Sequence, residues 1–144
     1  MSKKLWIALI IVLAAAWAGL KPHLNALPSS DARDISSLTD ARTVARYLLQ
    51  HQQLPDYYIS KNDARRLGWD PARGNLCDAL PGKAIGGDRF GNREKRLPQR
   101  SGRLWYEADV NYRCGHREAD RLVYSSDGLV YITTDHYRSF KQVP

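Results

Sequence analysis

Residues 104–111 of the chain read LWYEADVN, and residues 122–134 read LVYSSDGLVYITT. In the first stretch every second residue from Leu104 to Val110 is apolar, whereas Glu107 and Asp109 fall on the opposite face, as in a strand with two distinct faces. The second stretch holds two apolar runs separated by Asp127-Gly128, a pair that favours a tight hairpin turn. These stretches predict three antiparallel strands, and residues 137–143 can add a fourth.

The segment before these strands has the pattern of helices. Asp40 is a favourable N-cap, and apolar residues then recur with helical spacing at Ala41, Val44, Ala45, Leu48 and Leu49. Ser60 indicates the start of a second helix that Gly68 ends, and a short third helix is expected within residues 75–80. Glycine and charge favour turns and short strands between residues 81 and 100. The predicted fold is α+β, with N-terminal helices packed on one face of a C-terminal antiparallel β-sheet.

The first residues are typical of an export signal. Lys3 and Lys4 precede an uncharged apolar run over residues 5–20, and residues 16–18 read AWA, which has the spacing of small residues at a cleavage site. The run is shorter than the about 20 residues of a membrane-spanning helix, although an uncleaved anchor is the alternative. We therefore predict a signal peptide over 1–18, a flexible tether over 19–39, and one domain over 40–144. The protein is expected to be secreted or periplasmic, or membrane-anchored under the alternative.

Charge and cysteine content narrow the class of partner and compartment. Lys and Arg outnumber Asp and Glu by 22 to 15, giving a net charge of +7, which favours a polyanionic partner such as nucleic acid or an anionic membrane. Cys77 and Cys114 are the two cysteines, and in an exported protein they favour one disulfide; two separate buried thiols are the alternative. The cysteines and four histidines lack zinc-ligand spacing, so neither metal nor cofactor is expected.

The strand region also carries side chains suited to phosphoryl transfer. Glu107 lies opposite the apolar face, His136 follows the third strand, and Arg117 and Arg121 supply positive charge, as does Lys61 at the start of the second predicted helix. A carboxylate and an imidazole can move protons, while the cations can stabilise a phosphate. Each residue alone also has a structural explanation. Glu107 and Arg121 can form a solvated cross-strand pair, and His136 can be a turn residue.

A series of short motifs adds to this interpretation. Residues 54–69 read LPDYYISKNDARRLGW, and further motifs follow at 74–76 (GNL), 81–83 (PGK), 85–88 (IGGD) and 90–94 (FGNRE). The series continues with SGR at 101–103, EAD at 107–109, NY at 111–112, DR at 120–121, YSSD at 124–127 and TTDHY at 133–137. In these motifs and their spacing, the chain resembles the barnase-like bacterial ribonucleases of the microbial ribonuclease superfamily, from about residue 44 to residue 140.

The resemblance implies an endoribonuclease that uses no metal. Glu107 would be the general base on the ribose 2′-OH, and His136 the general acid on the departing 5′-oxygen, leaving a 2′,3′-cyclic phosphate that is then hydrolysed. Arg117, Arg121 and Lys61 would bind the phosphate. Asp109 would hold the arginines in place.

The same resemblance assigns a guanine site to residues 90–94. Backbone N–H groups around Asn92 and Arg93 would bind guanine O6, and the Glu94 carboxylate would accept hydrogen bonds from N1–H and N2–H. Phe90 and Tyr137 would offer aromatic surface to a base, although ordinary packing is an alternative for Phe90. Single-stranded RNA cleaved after guanine is therefore the expected substrate.

The family resemblance also implies a partner. An active ribonuclease endangers the cell that makes it, so an acidic, barstar-like inhibitor protein is expected, with membrane contact only through the signal segment and a monomeric state. A basic, exported RNA-binding module without turnover is the main alternative, and the joint presence of Glu107 and His136 argues against it. A secreted toxin and an RNA-scavenging enzyme remain equally compatible with the sequence.

Overall fold

A computed structural model describes residues 31–144, with side chains described from residue 35 onward. The predicted signal peptide at 1–18 and most of the predicted tether lie outside the described residues. Within the described part of the chain, no helix is long and apolar enough to cross a membrane.

The central element is a six-stranded sheet whose strands follow one another in chain order. The strands are β1 (Tyr58–Ile59), β2 (Ala84–Phe90), β3 (Trp105–Asp109), β4 (Arg121–Ser125), β5 (Val130–Thr133) and β6 (Lys141–Gln142). Strands β2 to β6 pair antiparallel, as predicted, whereas β1 pairs parallel with β2. The α+β class is confirmed.

The predicted helices are present, with the predicted caps. The helices are α1 (Asp31–Leu38), α2 (Ala41–His51), α3 (Lys61–Arg66) and α4 (Leu76–Ala79), with a 3₁₀ turn at Pro71–Arg73. The Asp40 side chain accepts a hydrogen bond from the N–H of Thr43, and Ser60 caps α3 in the same way at Asp63. Side-chain oxygens at these positions satisfy backbone donors that a helix start leaves unpaired.

Helix α1 corrects the predicted boundary between tether and domain. Its Ile35 is buried, and the buried Thr39 hydroxyl donates to Ile35 O and accepts from the N–H of Tyr112. The domain therefore begins before residue 40, and residues 31–39 are not a flexible tether. Helix α1 is only about two turns long, and among its described side chains Ile35 is the buried apolar one, so its signal is too short to stand out by periodicity.

The two faces of the sheet have different roles. Helix α2 packs Val44 and Leu48 against Leu122 and Val130, which share one face. The next residue, Val123, points to the opposite face because side chains alternate along a strand. There it packs with Leu97 and Trp105 in a second cluster. The second cluster forms the floor on which the candidate site lies.

Two strand predictions were incomplete. Of the expected strand 137–143, Lys141–Gln142 forms β6 and the Val143 N–H also donates to Val130 O, whereas Tyr137 has a positive φ of 71° that no regular strand allows. Residues 84–90, expected as turns and short strands, form one seven-residue strand. Strand β1 was not predicted at all.

A disulfide joins Cys77 to Cys114 and uses both cysteines of the chain. It links α4 to the irregular segment between β3 and β4. The predicted disulfide is confirmed.

Candidate active site

A groove of about 790 Å³ on the sheet face opposite α2 collects most of the predicted site residues. Lys61, Glu107 and His136 line one part of it, and the remaining lining includes Phe90, Asn92, Arg93, Glu94 and Tyr137. Three further arginines that sequence reasoning did not single out, Arg89, Arg96 and Arg138, also line the groove. A concave, strongly cationic surface of this kind suits a polyanion.

A bulge in β2 brings Lys61 to this groove. Gly86 pairs with Ala108, but Asp88 pairs with Glu107, so Gly87 is the extra residue and adopts a φ of 99° that favours glycine. The bulge turns Asp88 toward the start of α3, where its carboxylate accepts a hydrogen bond of 3.1 Å from the Lys61 N–H. The first residue of α3 is therefore fixed against the strand that neighbours Glu107.

Glu107 is held from both sides. Its side chain is only 10% exposed; Oε1 accepts from Lys61 Nζ at 3.1 Å and Oε2 accepts from the Tyr137 hydroxyl at 2.7 Å. Burial raises the pKa of Tyr137 above its ordinary value, and the hydrogen bond to Glu107 acts in the same direction. Tyr137 is therefore a neutral donor, and the two contacts fix the orientation of the carboxylate.

His136 lies in a tight turn organised by Asp135. Asp135 Oδ1 accepts from Thr133 Oγ1 and from the backbone N–H groups of Arg138 and Ser139, while Oδ2 accepts from Ser139 Oγ. These contacts, the Ser139 hydrogen bonds above all, lower the pKa of Asp135 to about 2. The exposed imidazole of His136 sits against the ring of Tyr137, with centroids 4.8 Å apart. The turn therefore presents His136 to the groove.

Sequence reasoning missed Asp135 as a positioning residue. A carboxylate beside a histidine suggests little alone, but Asp bonding to backbone N–H groups a few residues later is a known turn device. The spacing of Thr133, Asp135 and Ser139 was the available signal.

The two predicted phosphate-binding arginines share one carboxylate. Arg117 donates two hydrogen bonds of 2.7 Å to Asp109, whose side chain is 4% exposed. Arg121 Nε lies 3.1 Å from Asp109 Oδ1, at an angle that makes an ion pair without a hydrogen bond. Although burial opposes its charge, the hydrogen bonds that Arg117 donates to Asp109 raise the pKa of Arg117, which is therefore a fixed cation.

The side chain of Asn92 closes the loop at residues 91–97. Asn92 is 8% exposed with a φ of 47°; its Oδ1 accepts from the Leu97 N–H and its Nδ2 donates to Leu97 O. Among the described residues, no protein group accepts from the N–H of Arg93 or Glu94. The side chain of Asn92 is therefore structural, and the loop leaves backbone donors available.

The remaining predicted guanine-site residues differ in exposure. The Glu94 carboxylate is 71% exposed and pairs with Arg96 at 2.7 Å. The ring of Phe90 stacks on Tyr137, with centroids 5.0 Å apart, and packs in the cluster of Leu97 and Trp105. Phe90 thus has a packing role as well as a place on the groove wall, and Trp105 is a core residue.

The groove brings together a nearly buried carboxylate, an exposed imidazole and several cations, a set of groups that suits a phosphodiester-cleaving enzyme. The sequence model of the ribonuclease family matches residues 41–144. A ribonuclease of Bacillus intermedius and one of Bacillus pumilus are each 53% identical over 115 residues, covering 80% of this chain and 71% of the relative. A ribonuclease of Heyndrickxia coagulans is 59% identical over 100 residues, covering 69% and 92%.

The chain belongs to the microbial ribonuclease family of the barnase type. It is accordingly an RNA-cleaving hydrolase, and RNA is its substrate.

Proposed function

We propose that the protein is an exported endoribonuclease that cleaves single-stranded RNA after guanine through a 2′,3′-cyclic phosphate, without a metal ion. The observation that supports this most is the Glu107 carboxylate, nearly buried and fixed by two donors, in the same groove as the exposed imidazole of His136. A general base and a general acid of the protein can therefore act on the same bound RNA.

In the first step, the Glu107 carboxylate removes the proton of the ribose 2′-OH. The 2′-oxygen attacks the adjacent phosphorus, and the bond from phosphorus to the 5′-oxygen breaks. Protonated His136 gives its proton to that leaving oxygen. In the second step, His136 takes a proton from water, whose oxygen opens the cyclic ester, and Glu107 returns its proton to the 2′-oxygen.

The cations stabilise the charge that grows on the phosphate oxygens. Asp109 fixes Arg117 and Arg121 before substrate arrives, so little reorganisation is needed during the reaction. Lys61 donates a hydrogen bond to Glu107 and lies where it can also contact the phosphate. Because the nucleophile is the 2′-OH, the proposal requires that DNA is not cleaved.

The loop at residues 91–97 would read guanine. The available N–H groups of Arg93 and Glu94 suit the acceptor O6, and the exposed Glu94 carboxylate suits N1–H and N2–H. Adenine presents a donor in place of O6 and lacks the N1–H. Each polar group left unpaired would cost about 1–3 kcal/mol.

The mechanism is tested with an RNA oligonucleotide that contains one guanine, in the presence of EDTA. We expect cleavage on the 3′ side of guanine with 2′,3′-cyclic ends, detected by mass spectrometry. Glu107→Gln and His136→Ala should each lower kcat by about 10²–10⁴-fold, whereas Glu118→Gln, at an exposed position, is the matched control. A folded, unmutated protein that binds RNA without cleaving it would make the chain a binding module.

Base preference is tested with inosine, which lacks only the 2-amino group of guanine. The unmutated protein should cleave after guanine about 10-fold more efficiently than after inosine, because one hydrogen bond to a carboxylate is lost. Glu94→Ala should remove this difference. A preference for guanine over inosine that survives in Glu94→Ala would refute the role of Glu94.

Export and inhibition are proposed on the sequence alone. N-terminal sequencing of protein collected from the medium or periplasm should begin after Ala18; a mature chain that keeps residues 1–18 would support the anchor. An acidic, barstar-like protein should inhibit the monomeric enzyme, with an association rate that falls as salt rises. Salt-independent association would contradict electrostatic recognition.

A further inference from the structure

A second groove, of about 730 Å³, lies between α2 and the edge strand β6. Arg42, Arg46 and Lys141 line it, together with apolar side chains of α2, β5 and the chain segment after β6. Phe140 lines both this groove and the candidate active site, so the two surfaces meet around the edge of the sheet.

The charged side chains that line this second groove are all cationic. No acidic side chain is among its lining residues, and none of its three cations pairs with a carboxylate in the described part of the chain. Arg42 and Arg46 are exposed and lie one turn apart on α2, so they face the same way. The neighbouring carboxylate of Asp135 is already occupied by its own turn.

The floor of the second groove is apolar. Leu49 belongs to the helical stripe that was predicted to be buried, yet it is 40% exposed and opens onto the groove. Ile132 and Phe140 are half-buried beside it. Cations beside apolar and aromatic surface are what single-stranded nucleic acid requires, because its phosphates and its base faces are bound by different groups.

We infer that the second groove binds RNA that extends beyond the nucleotides held in the candidate active site. RNA is the occupant favoured by the positive charge and by the continuity through Phe140 with the groove of a ribonuclease. The inference rests on the proposed function in that the bound chain runs on from the site of cleavage.

The experiment measures binding of RNA that cannot be cleaved. The protein is titrated into two RNAs, and binding is followed by fluorescence anisotropy over a range of salt concentrations. The RNAs are fully 2′-O-methylated GpU and a 2′-O-methylated 12-mer that contains one guanine. The variants are Arg42→Gln/Arg46→Gln and, as a control with the same change in net charge, Arg73→Gln/Arg113→Gln. The control arginines are exposed and line neither groove.

The Arg42→Gln/Arg46→Gln variant is expected to bind the 12-mer about 25-fold more weakly at 0.1 M salt. The slope of log affinity against log salt should become shallower by about 1.4, since each lost phosphate contact removes about 0.7. Binding of GpU analogue, and cleavage of unmodified GpU, should not change. The control variant should bind the 12-mer nearly as the unmutated protein does.

Three results would overturn the inference. One is an unchanged affinity of the Arg42→Gln/Arg46→Gln variant for the 12-mer. If this variant instead loses binding to phosphatidylglycerol vesicles, the second groove binds an anionic membrane and the inference is equally overturned. Another is an equal loss in the control variant, and the third is an equal loss for GpU. Failure of the unmutated protein to cleave GpU would refute the proposed function alone, because the methylated RNA reports binding without catalysis.

Discussion

Removal of the Cys77–Cys114 disulfide offers a quantitative test of how the domain is stabilised. The two cysteines are 37 residues apart, and they join α4 to the segment that carries Arg117. Cutting this link in a Cys77→Ala/Cys114→Ala variant frees a long loop in the unfolded chain. The native contacts around it, including the pairing of Arg117 with Asp109, are retained.

The magnitude follows from loop closure. For a loop of this length, the entropy that the crosslink removes from the unfolded chain is about 13 cal/mol/K, which is about 3.8 kcal/mol at 25 °C. In a domain of this size, such a change corresponds to a fall in the melting temperature of roughly 15 °C. The free energy of unfolding should therefore drop by a large part of its usual range of about 5–15 kcal/mol.

The assay is urea unfolding followed by circular dichroism. Dithiothreitol should destabilise the unmutated protein by about as much as the double substitution does, and it should have no effect on the variant. RNA cleavage well below the melting temperature is expected to change little, because Asp109 still holds Arg117. A loss of less than about 1 kcal/mol, outside the range typical of such crosslinks, would refute the loop-closure reasoning.

Three further substitutions test the site and the sheet. Asp109→Asn leaves the nearly buried Arg121 without its counter-charge, and urea unfolding should show a loss of about 3 kcal/mol; a neutral effect would mean that Arg121 is adequately solvated. Asp135 has a pKa of about 2 in the folded protein and about 3.9 when unfolded, so its charge stabilises the fold above pH 4 and ceases to do so as the pH falls toward 2. The difference in melting temperature between the unmutated protein and Asp135→Asn should shrink over that interval, and a constant difference would contradict the assigned contacts. Gly86→Ala would put a methyl group 2.6 Å from Tyr58 Cδ1, so a loss of about 1–3 kcal/mol is expected in thermal unfolding; full stability would show that β1 can move away.

The elements that the sequence predicted correctly are those with local signals. The Asp40 cap with its apolar stripe defines α2, and Asp127-Gly128 defines the turn between β4 and β5. Strand alternation also placed Glu107 and Asp109 on one face, and the structure has them there. Local chemistry was sufficient in each case, because the residues that decide the conformation are neighbours in the chain.

The elements that were missed depend on distant partners. The two residues of β1 form a strand only because Ala84 and Ile85 of β2 lie beside them, and further along β2 has a bulge at Gly87. The contact between Asp88 and Lys61 follows from that bulge and has no sequence pattern of its own. The start of the domain at α1 likewise depends on the contact of Thr39 with Tyr112.

The turn at His136 and Tyr137 has a consequence for selection experiments. Two consecutive residues with side chains adopt left-handed backbone angles there, a conformation that costs about 1 kcal/mol or more at each residue and that glycine adopts freely. A library of variants screened for heat resistance alone should therefore accumulate glycine at position 136. The same library screened for RNA cleavage should keep histidine, so the two selections would yield different residues at position 136.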